Sequence, residues 1–467
     1  MASKQAAPKE SNSLHRKMWR REFRALLALA IPVVLSELGW MGMTTVDTIM
    51  VGGLGPVAIG AVAVGSFVYY APALFGIGIL LGLDTLVSQA HGRGDYDECH
   101  RWLAQAVYLA AAFTPVCMLV TFGAGHLFSF WGVNASVAWE ATRFLRVLNW
   151  STLPLLLYAA ARRYLQGVGR PTPVTFALLS ANFVNLAGNW VLINGKLGFS
   201  AMGVRGSALS TCIARVYMAA VLLFAAWRYE RQRGHQLFRH WPGPEISRLR
   251  HLLRLGLPAA SQILMEVGAF GAATVMAARL APEALAAHQI ALNCASISYM
   301  VPLGVSAAAA VSVGHAIGAG DGPRARRAGW MAMATGVGFM ALAASVFLLI
   351  PMPILRVYSN DPGVLRLGVP LLVFAGVFQI FDGIQTVSTG ALRGMGETRM
   401  PMLANFFGYW IFGLPLGYAL CFGAKKGVFG LWLGLTLALI AIALVLLRKW
   451  IHESRRIALE VPTIEAS

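Results

Sequence analysis

The sequence predicts an all-α polytopic membrane protein, with twelve transmembrane helices arranged as two pseudo-symmetric six-helix bundles. Three observations carry this expectation. Of 467 residues, 57% are hydrophobic and only 12% are charged, against roughly 25% charged in an ordinary soluble domain. Apolar runs of about 20 residues, the length a helix needs to cross a bilayer, recur along the whole chain. The second half of the chain also repeats the first. A transmembrane β-barrel would show alternating segments of ~10 residues, and runs such as Gly60 to Leu83 or Gly434 to Leu447 do not alternate.

Between polar or Gly/Pro-rich breaks, spans are expected near 24–49, 57–88, 102–124, 138–161, 173–194 and 203–227. Six more are expected near 251–278, 284–313, 327–350, 363–391, 402–424 and 428–447. The first run, beginning near Ala25, lacks a convincing small-residue cleavage site and reads as a retained span. The net charge is +18, from 38 basic and 20 acidic residues. In a soluble protein that balance would suggest nucleic acid as a partner. Here the basic residues crowd beside apolar runs: Lys4 to Arg24, Arg228 to Arg254 and Arg448 to Arg456. Placing both tails, the central linker and the even-numbered connections on one side gathers 28 of the 38 Lys and Arg residues there. The positive-inside rule then makes both termini cytoplasmic, in a multi-pass protein of a bacterial inner membrane with no nucleic-acid partner. Cys99, Cys117, Cys212, Cys294 and Cys421 have neither metal nor disulfide spacing.

A shift of 226 residues pairs Leu26 with Leu252, Pro32 with Pro258, Gly92 with Gly318, Asp95 with Asp321 and Arg101 with Arg327. A shift of 227 pairs Leu165, Gly167 and Gly169 with Leu392, Gly394 and Gly396, and a shift of 224 pairs Gly203 and Gly206 with Gly427 and Gly430. The chain reads as a duplication. Six spans per copy is an even number, so both copies enter from the same side and the two-fold axis runs along the membrane normal. The expected organisation is a basic tail (1–23), a first lobe (24–227), a linker (228–250), a second lobe (251–447) and a tail (448–467). A cleft between two such lobes suits alternating access.

Five acidic residues fall well inside the expected spans: Glu37, Asp47, Asp84, Glu266 and Asp382. An Asp at the centre of a span costs about 2.5 to 3.5 kcal/mol on insertion scales. The repeat sharpens the point, because the positions matching Asp47, Asp84, Glu266 and Asp382 hold Ala273, Ala310, Trp40 and Leu155. The scaffold therefore does not require these acids, and a cation that comes and goes explains them better. Glu37 could instead bond within its own helix near Pro32, and Asp84 could cap or pair near the His91 to Asp97 turn. Asp47, Glu266 and Asp382 have no basic residue one helical turn away. Asn185 and Asn189, four apart, share a helix face. Their oxygens with a carboxylate would suit a hard cation such as sodium, and interhelical hydrogen bonding would serve equally. His288 and His315 read as packing histidines. Trp40, Tyr69, Tyr70, Phe270 and Phe378 could line a cleft or simply pack.

Several segments carry a family resemblance. Val46-Asp47-Thr48-Ile49-Met50-Val51-Gly52 in the first span resembles the first-helix signature of the multidrug and toxic compound extrusion (MATE) family, NorM-like branch. Met265-Glu266-Val267, Ala286 to Asn293, and Asp382-Gly383-Ile384-Gln385 followed by Gly390 to Gly394 are similar to the family as well. The likeness runs from about Phe23 to Arg448. It implies a twelve-helix antiporter that exports organic cations in exchange for protons or sodium ions. By position it assigns ion coupling to Glu266, Asp382, Asp47, Asn185, Asn189 and Asp84. Substrate contact falls to Asp47, Glu266, Gln289, Asp382 and Phe378, and a sodium ion to Glu266 and Asp382. Sodium-coupled relatives carry a tyrosine where this chain has Phe378, which removes one possible oxygen ligand. Asp84, in Leu83 to Gln89, resembles a pattern of proton-coupled relatives.

The expected partners are small amphipathic cations and the lipid bilayer, with no cofactor beyond the coupling ion and a monomer as the working unit. Enzymatic activity is not expected. A flippase for lipid-linked saccharides would need a cleft lined by Arg and Lys to hold pyrophosphate. An intramembrane aspartyl protease would need a Gly-x-Gly-Asp setting, whereas Asp84 follows Gly82-Leu83 and Asp382 follows Ile380-Phe381. No Gly-x-x-x-x-Gly-Lys loop is present to cradle ATP.

Overall fold

A computed structural model describes residues 7–126, 128, 130, 132–233 and 241–460, with side chains described from 17 to 459. The rest of the expected tails and linker lies outside the described residues. Among the described residues, twelve helices are long and apolar enough to span a membrane. In the first bundle these are α1 (Lys17–Gly52), α2 (Pro56–Gly92), α3 (Tyr96–Gly125), α4 (Ala135–Gly167), α5 (Thr172–Asn194) and α6 (Val204–Gln232). In the second they are α7 (Ile246–Ala277), α8 (Pro282–Gly318), α9 (Gly322–Leu349), α10 (Pro362–Gly394), α11 (Arg399–Gly423) and α12 (Gly427–Leu459). Among the described residues there is no strand. The expected spans are all present, and most extend further where odd-numbered helices begin and even-numbered helices end. That end, here called the basic end, carries most of the arginines, whose stems cover apolar surface while their heads stay wet.

The duplication is visible in the caps and turns. Asp95 and Asp321, mates under the 226 shift, each accept a backbone N–H three residues on and so cap α3 and α9, at 3.0 Å from Glu98 and 2.8 Å from Arg324. Asn134 and Asp361, mates under the 227 shift, cap α4 and α10, accepting from the backbone N–H groups of Ser136, two residues on, and Val364, three residues on. Such a side chain satisfies one of the donors that a helix start leaves without a partner. The turns before α3 and α9 contain Gly94 and Gly320 at φ of 77° and 73°, left-handed values that a side chain would oppose.

Each bundle has its own apolar core, and the first halves of α1 and α7 cross over. Leu26 and Ala30 of α1 pack into the core of the second bundle, whereas Leu252 and Leu255 of α7 pack into that of the first. At the basic end the bundles meet backbone to backbone. Gly78 lies against Ala260 and its mate Gly304 against Val34; Gly92 lies against His315 and its mate Gly318 against Gln89. A Cβ at any of these four would collide with the facing chain. Residues 303–311 of α8 are nearly all buried, while its other end alternates between buried and exposed. The structure is thus closed at the basic end. Residue patterning did not indicate two features: a short helix, Pro351–Tyr358, and two π-helical stretches in α11, Phe406–Gly413 and Ala419–Gly423.

Candidate transport site

The first polar cluster lies within the first bundle. Asn189 Nδ2 donates to Asp47 Oδ1 at 2.6 Å and lies 3.2 Å from Asn185 Oδ1, and Thr211 Oγ1 lies 3.4 Å from Asp47 Oδ2. The four-residue spacing of Asn185 and Asn189 therefore does what the helix period requires, putting both amides on the face of α5 that meets α1. In this conformation the amide N–H of Asn189, rather than its oxygen, faces the carboxylate. Asn189 Oδ1 and Asn185 Nδ2 are buried without a hydrogen-bond partner. Asp47 lines a cavity of about 170 Å³ together with Thr44, Thr48, Tyr70, Ser207 and Arg215. No basic side chain forms an ion pair with Asp47 among the described residues.

The second cluster lies in the second bundle. Gln385 Nε2 is 3.3 Å from Glu266 Oε1 and 3.4 Å from Asn405 Oδ1, and Tyr409 donates to Gln385 Oε1 at 3.4 Å. Asp382 lies one helical turn before Thr386 and interacts electrostatically with Glu266. The phenols of Tyr299 and Tyr409 stand close to both carboxylates. The structure thus joins Glu266 and Asp382 and surrounds them with neutral groups. Asp47 is placed in the other bundle, away from them.

Three expected site residues sit elsewhere. Asp84 is 1% exposed and lies at the closed basic end, 3.4 Å from Arg163 Nη1 of α4 and 3.2 Å from Arg393 Nε of α10. It joins the two bundles rather than lining the cavity beside Asp47. Phe378 is buried in the second core, with ring centroids 5.9 Å from Phe270 and 6.1 Å from Trp432. Packing holds it on all sides, so it is not a free substrate contact in this conformation. Gln289 lies exposed on the first half of α8. Glu37, the remaining intramembrane acid, bonds to Arg162 of α4 rather than within its own helix.

The histidines are satisfied packing residues. His288 is held by Thr274 at 3.1 Å and Trp432 at 3.0 Å, and His315 by the Gly167 carbonyl at 2.7 Å. Sequence reasoning missed Arg215, Gln385, Tyr299, Tyr409 and Asn405. Arg215 had a readable signal, since it is a basic residue in the middle of an apolar span, which is as costly as an acid there.

These features define a class: a duplicated multi-pass integral membrane protein whose two bundles close on each other at one end and carry isolated carboxylates inside. The MatE family model matches the chain twice, over residues 32–191 and 258–419, one match in each bundle. The probable multidrug resistance protein NorM of Mesorhizobium japonicum is 37% identical over 446 residues, covering 94% of this chain and 95% of that protein. The solved eukaryotic MATE transporter AtDTX14 superimposes with a TM-score of 0.83 at 21% identity, covering 95% of this chain and 100% of that one. A structure described as the outward-facing conformation of a multidrug resistance MATE family transporter gives 0.85 at 18% identity, covering 93% and 96%. The chain belongs to the MATE family of multidrug transporters.

Proposed function

We propose that the protein is a secondary antiporter that exports organic cations in exchange for protons or sodium ions, with the basic end on the cytoplasmic side. The observation that carries this reading is that Glu266 bonds only to neutral groups and sits beside Asp382, with no basic side chain paired to either carboxylate among the described residues. A buried carboxylate without a fixed counter-ion keeps its full attraction for a mobile one. Desolvation disfavours the charged form of a carboxyl group, so proton uptake competes with cation binding at the same oxygens. Carboxylates joined by phenol and amide oxygens are also a suitable donor set for a hard monovalent cation. An arriving proton or sodium ion then neutralises the charge that held the substrate, and competition for that charge couples the two fluxes.

Exchange of one proton for one monovalent cation is electroneutral and draws only on the pH gradient, worth about 1.4 kcal/mol per unit. A second coupling ion would bring in the membrane potential, at about 2.3 kcal/mol per charge per 100 mV. Two separate carboxylate clusters allow for that second ion. The test is transport of a fluorescent organic cation in proteoliposomes with either a pH or a sodium gradient imposed alone. At least one gradient should drive accumulation without ATP, and Glu266→Gln should reduce it at least tenfold. Equal transport with neither gradient present would contradict the reading.

A further inference from the structure

A groove of about 690 Å³ opens at the basic end, where the starts of α1 and α9 meet the last turns of α12. Its wall holds the indoles of Trp19 and Trp330 together with Arg326, Arg327 and Arg455, and no acidic side chain lines it. The neighbouring acids are already engaged. Glu22 accepts from Arg327 at 3.0 and 3.2 Å, and Glu453, two residues before Arg455, pairs with Lys449 and Arg456. Arg326 and Arg455 are exposed and form no ion pair among the described residues. The floor is firmly built, since Gly322 lies against the Ile457 backbone and Gly329 against the Trp450 ring. Positive charge thus stands uncancelled beside two indoles. The repeat shows the corresponding face of the first bundle treated differently. His100, the mate of Arg326 under the 226 shift, meets the Trp241 ring at 5.7 Å, Gln105 donates to the Gly243 carbonyl at 2.9 Å, and Tyr108 donates to the Pro242 carbonyl at 3.2 Å. Residues 241–245 therefore lie across α3. Their mates, 15–19, belong to one continuous helix with α1, and the groove beside α9 stays open.

We infer that this groove of the second bundle is a binding site for an anionic phospholipid, with Arg326 and Arg455 holding the phosphate and Trp19 and Trp330 flanking the glycerol and the first part of a chain. Guanidinium forks match phosphate oxygens two at a time. Basic pockets between membrane helices on one face are suited to anionic headgroups. The depth agrees. Trp19 precedes the apolar run of α1, which begins near Ala25, by six residues or about 9 Å of helix, and Trp330 stands in the first turn of the apolar run of α9. Indoles favour that level of a bilayer, where one edge meets water and the ring meets hydrocarbon. A soluble anion would use the arginines but not the indoles, so a lipid fits the whole wall. The site is asymmetric in the molecule, because the chain itself covers the matching face of the first bundle. Neither the coupling ion nor the direction of transport enters the inference.

The test counts lipids bound to the purified full chain in detergent by native mass spectrometry, using dioleoyl phosphatidylglycerol and dioleoyl phosphatidylcholine, which share their chains and differ in net charge. The first phosphatidylglycerol should bind tenfold or more tightly than phosphatidylcholine. Arg326→Gln with Arg455→Gln should bring that preference within about threefold, whereas Arg326→Lys with Arg455→Lys should keep most of it. Arg101→Gln with Arg231→Gln removes equal charge from the first bundle and should leave the preference unchanged. A wild-type preference below threefold overturns the inference. So does a preference that survives the first glutamine pair, or one that falls equally with the second, because net charge alone would then explain it. Displacement of the lipid by inorganic phosphate at equal concentration assigns the groove to a soluble anion and overturns it. A dimer that the first glutamine pair dissolves assigns it to a second copy, and a tenfold gain in phosphatidylglycerol affinity on Glu465→Gln assigns it to the chain's own tail; either result overturns it as well.

Discussion

Asp47 and Asn189 show how a single hydrogen bond can hold a buried carboxylate. The 2.6 Å contact from the amide to the carboxylate is charge-assisted when Asp47 is ionised, and such bonds contribute about 1.5 to 3 kcal/mol. Asn189→Leu should therefore weaken binding of an organic cation by roughly 10- to 100-fold, read as a dissociation constant on purified protein. An affinity within twofold of wild type would show that the bond does not support the charged form. The intramembrane acids were legible in the sequence because a carboxylate in an apolar run is expensive and the repeat copy dispenses with it. Their partners were less legible. The position of Asp84 near the end of its span suggested a pairing role, but its partners Arg163 and Arg393 could not be read from the local pattern, because they arrive from other helices far along the chain.

At the level of elements, the closed end is a lock made of glycines and one ion-pair network. Thr85 donates to the Arg393 carbonyl, Gln89 Nε2 to the Gly394 carbonyl at 3.0 Å, and Asp84 spans α4 and α10. Removing one partner from a buried ion pair typically costs 3 to 5 kcal/mol, approximately. A shift of about 5.5 kcal/mol carries a two-state equilibrium from 1:99 to 99:1. Asp84→Asn should accordingly raise the population open at the basic end. The check is the distance distribution between spin labels on the α2–α3 and α10–α11 turns, and an unchanged distribution would remove Asp84 from the lock. Gly78→Val and Gly304→Val should each prevent full closure, since each places a side chain against facing backbone. As repeat mates they should abolish transport to a similar degree while the protein stays folded in the membrane. Span positions were readable from apolar runs. The π-helical stretches of α11 were not, because apolar periodicity does not record where a helix widens by one residue per turn.

The whole molecule is a duplication whose halves have kept their framework and divided their chemistry. Caps at Asp95 and Asp321, turns at Gly94 and Gly320, and the paired glycines of the lock all recur. These positions answer backbone needs that both copies share, and for that reason the pseudo-symmetry could be read from spacing alone. The carboxylates do not recur: the first bundle has Asp47 with Asn185 and Asn189, and the second has Glu266 with Asp382, Gln385 and Tyr409. Lost symmetry at these positions leaves the molecule with two dissimilar clusters of buried carboxylates. Crossing of α1 and α7 into the opposite cores means that opening the basic end must repack both bundles together, which the proposed alternation between two states would require.

The most direct test of the account is competition at equilibrium. Binding of a fluorescent organic cation to the purified protein should weaken as proton or sodium concentration rises, with at least one of these ions raising the apparent dissociation constant in proportion to its concentration. In the Asp47→Asn, Glu266→Gln double variant that dependence should disappear together with most of the affinity. Cation affinity that does not change with either ion in the wild-type protein would contradict the idea that substrate and coupling ion trade places on the same carboxylates.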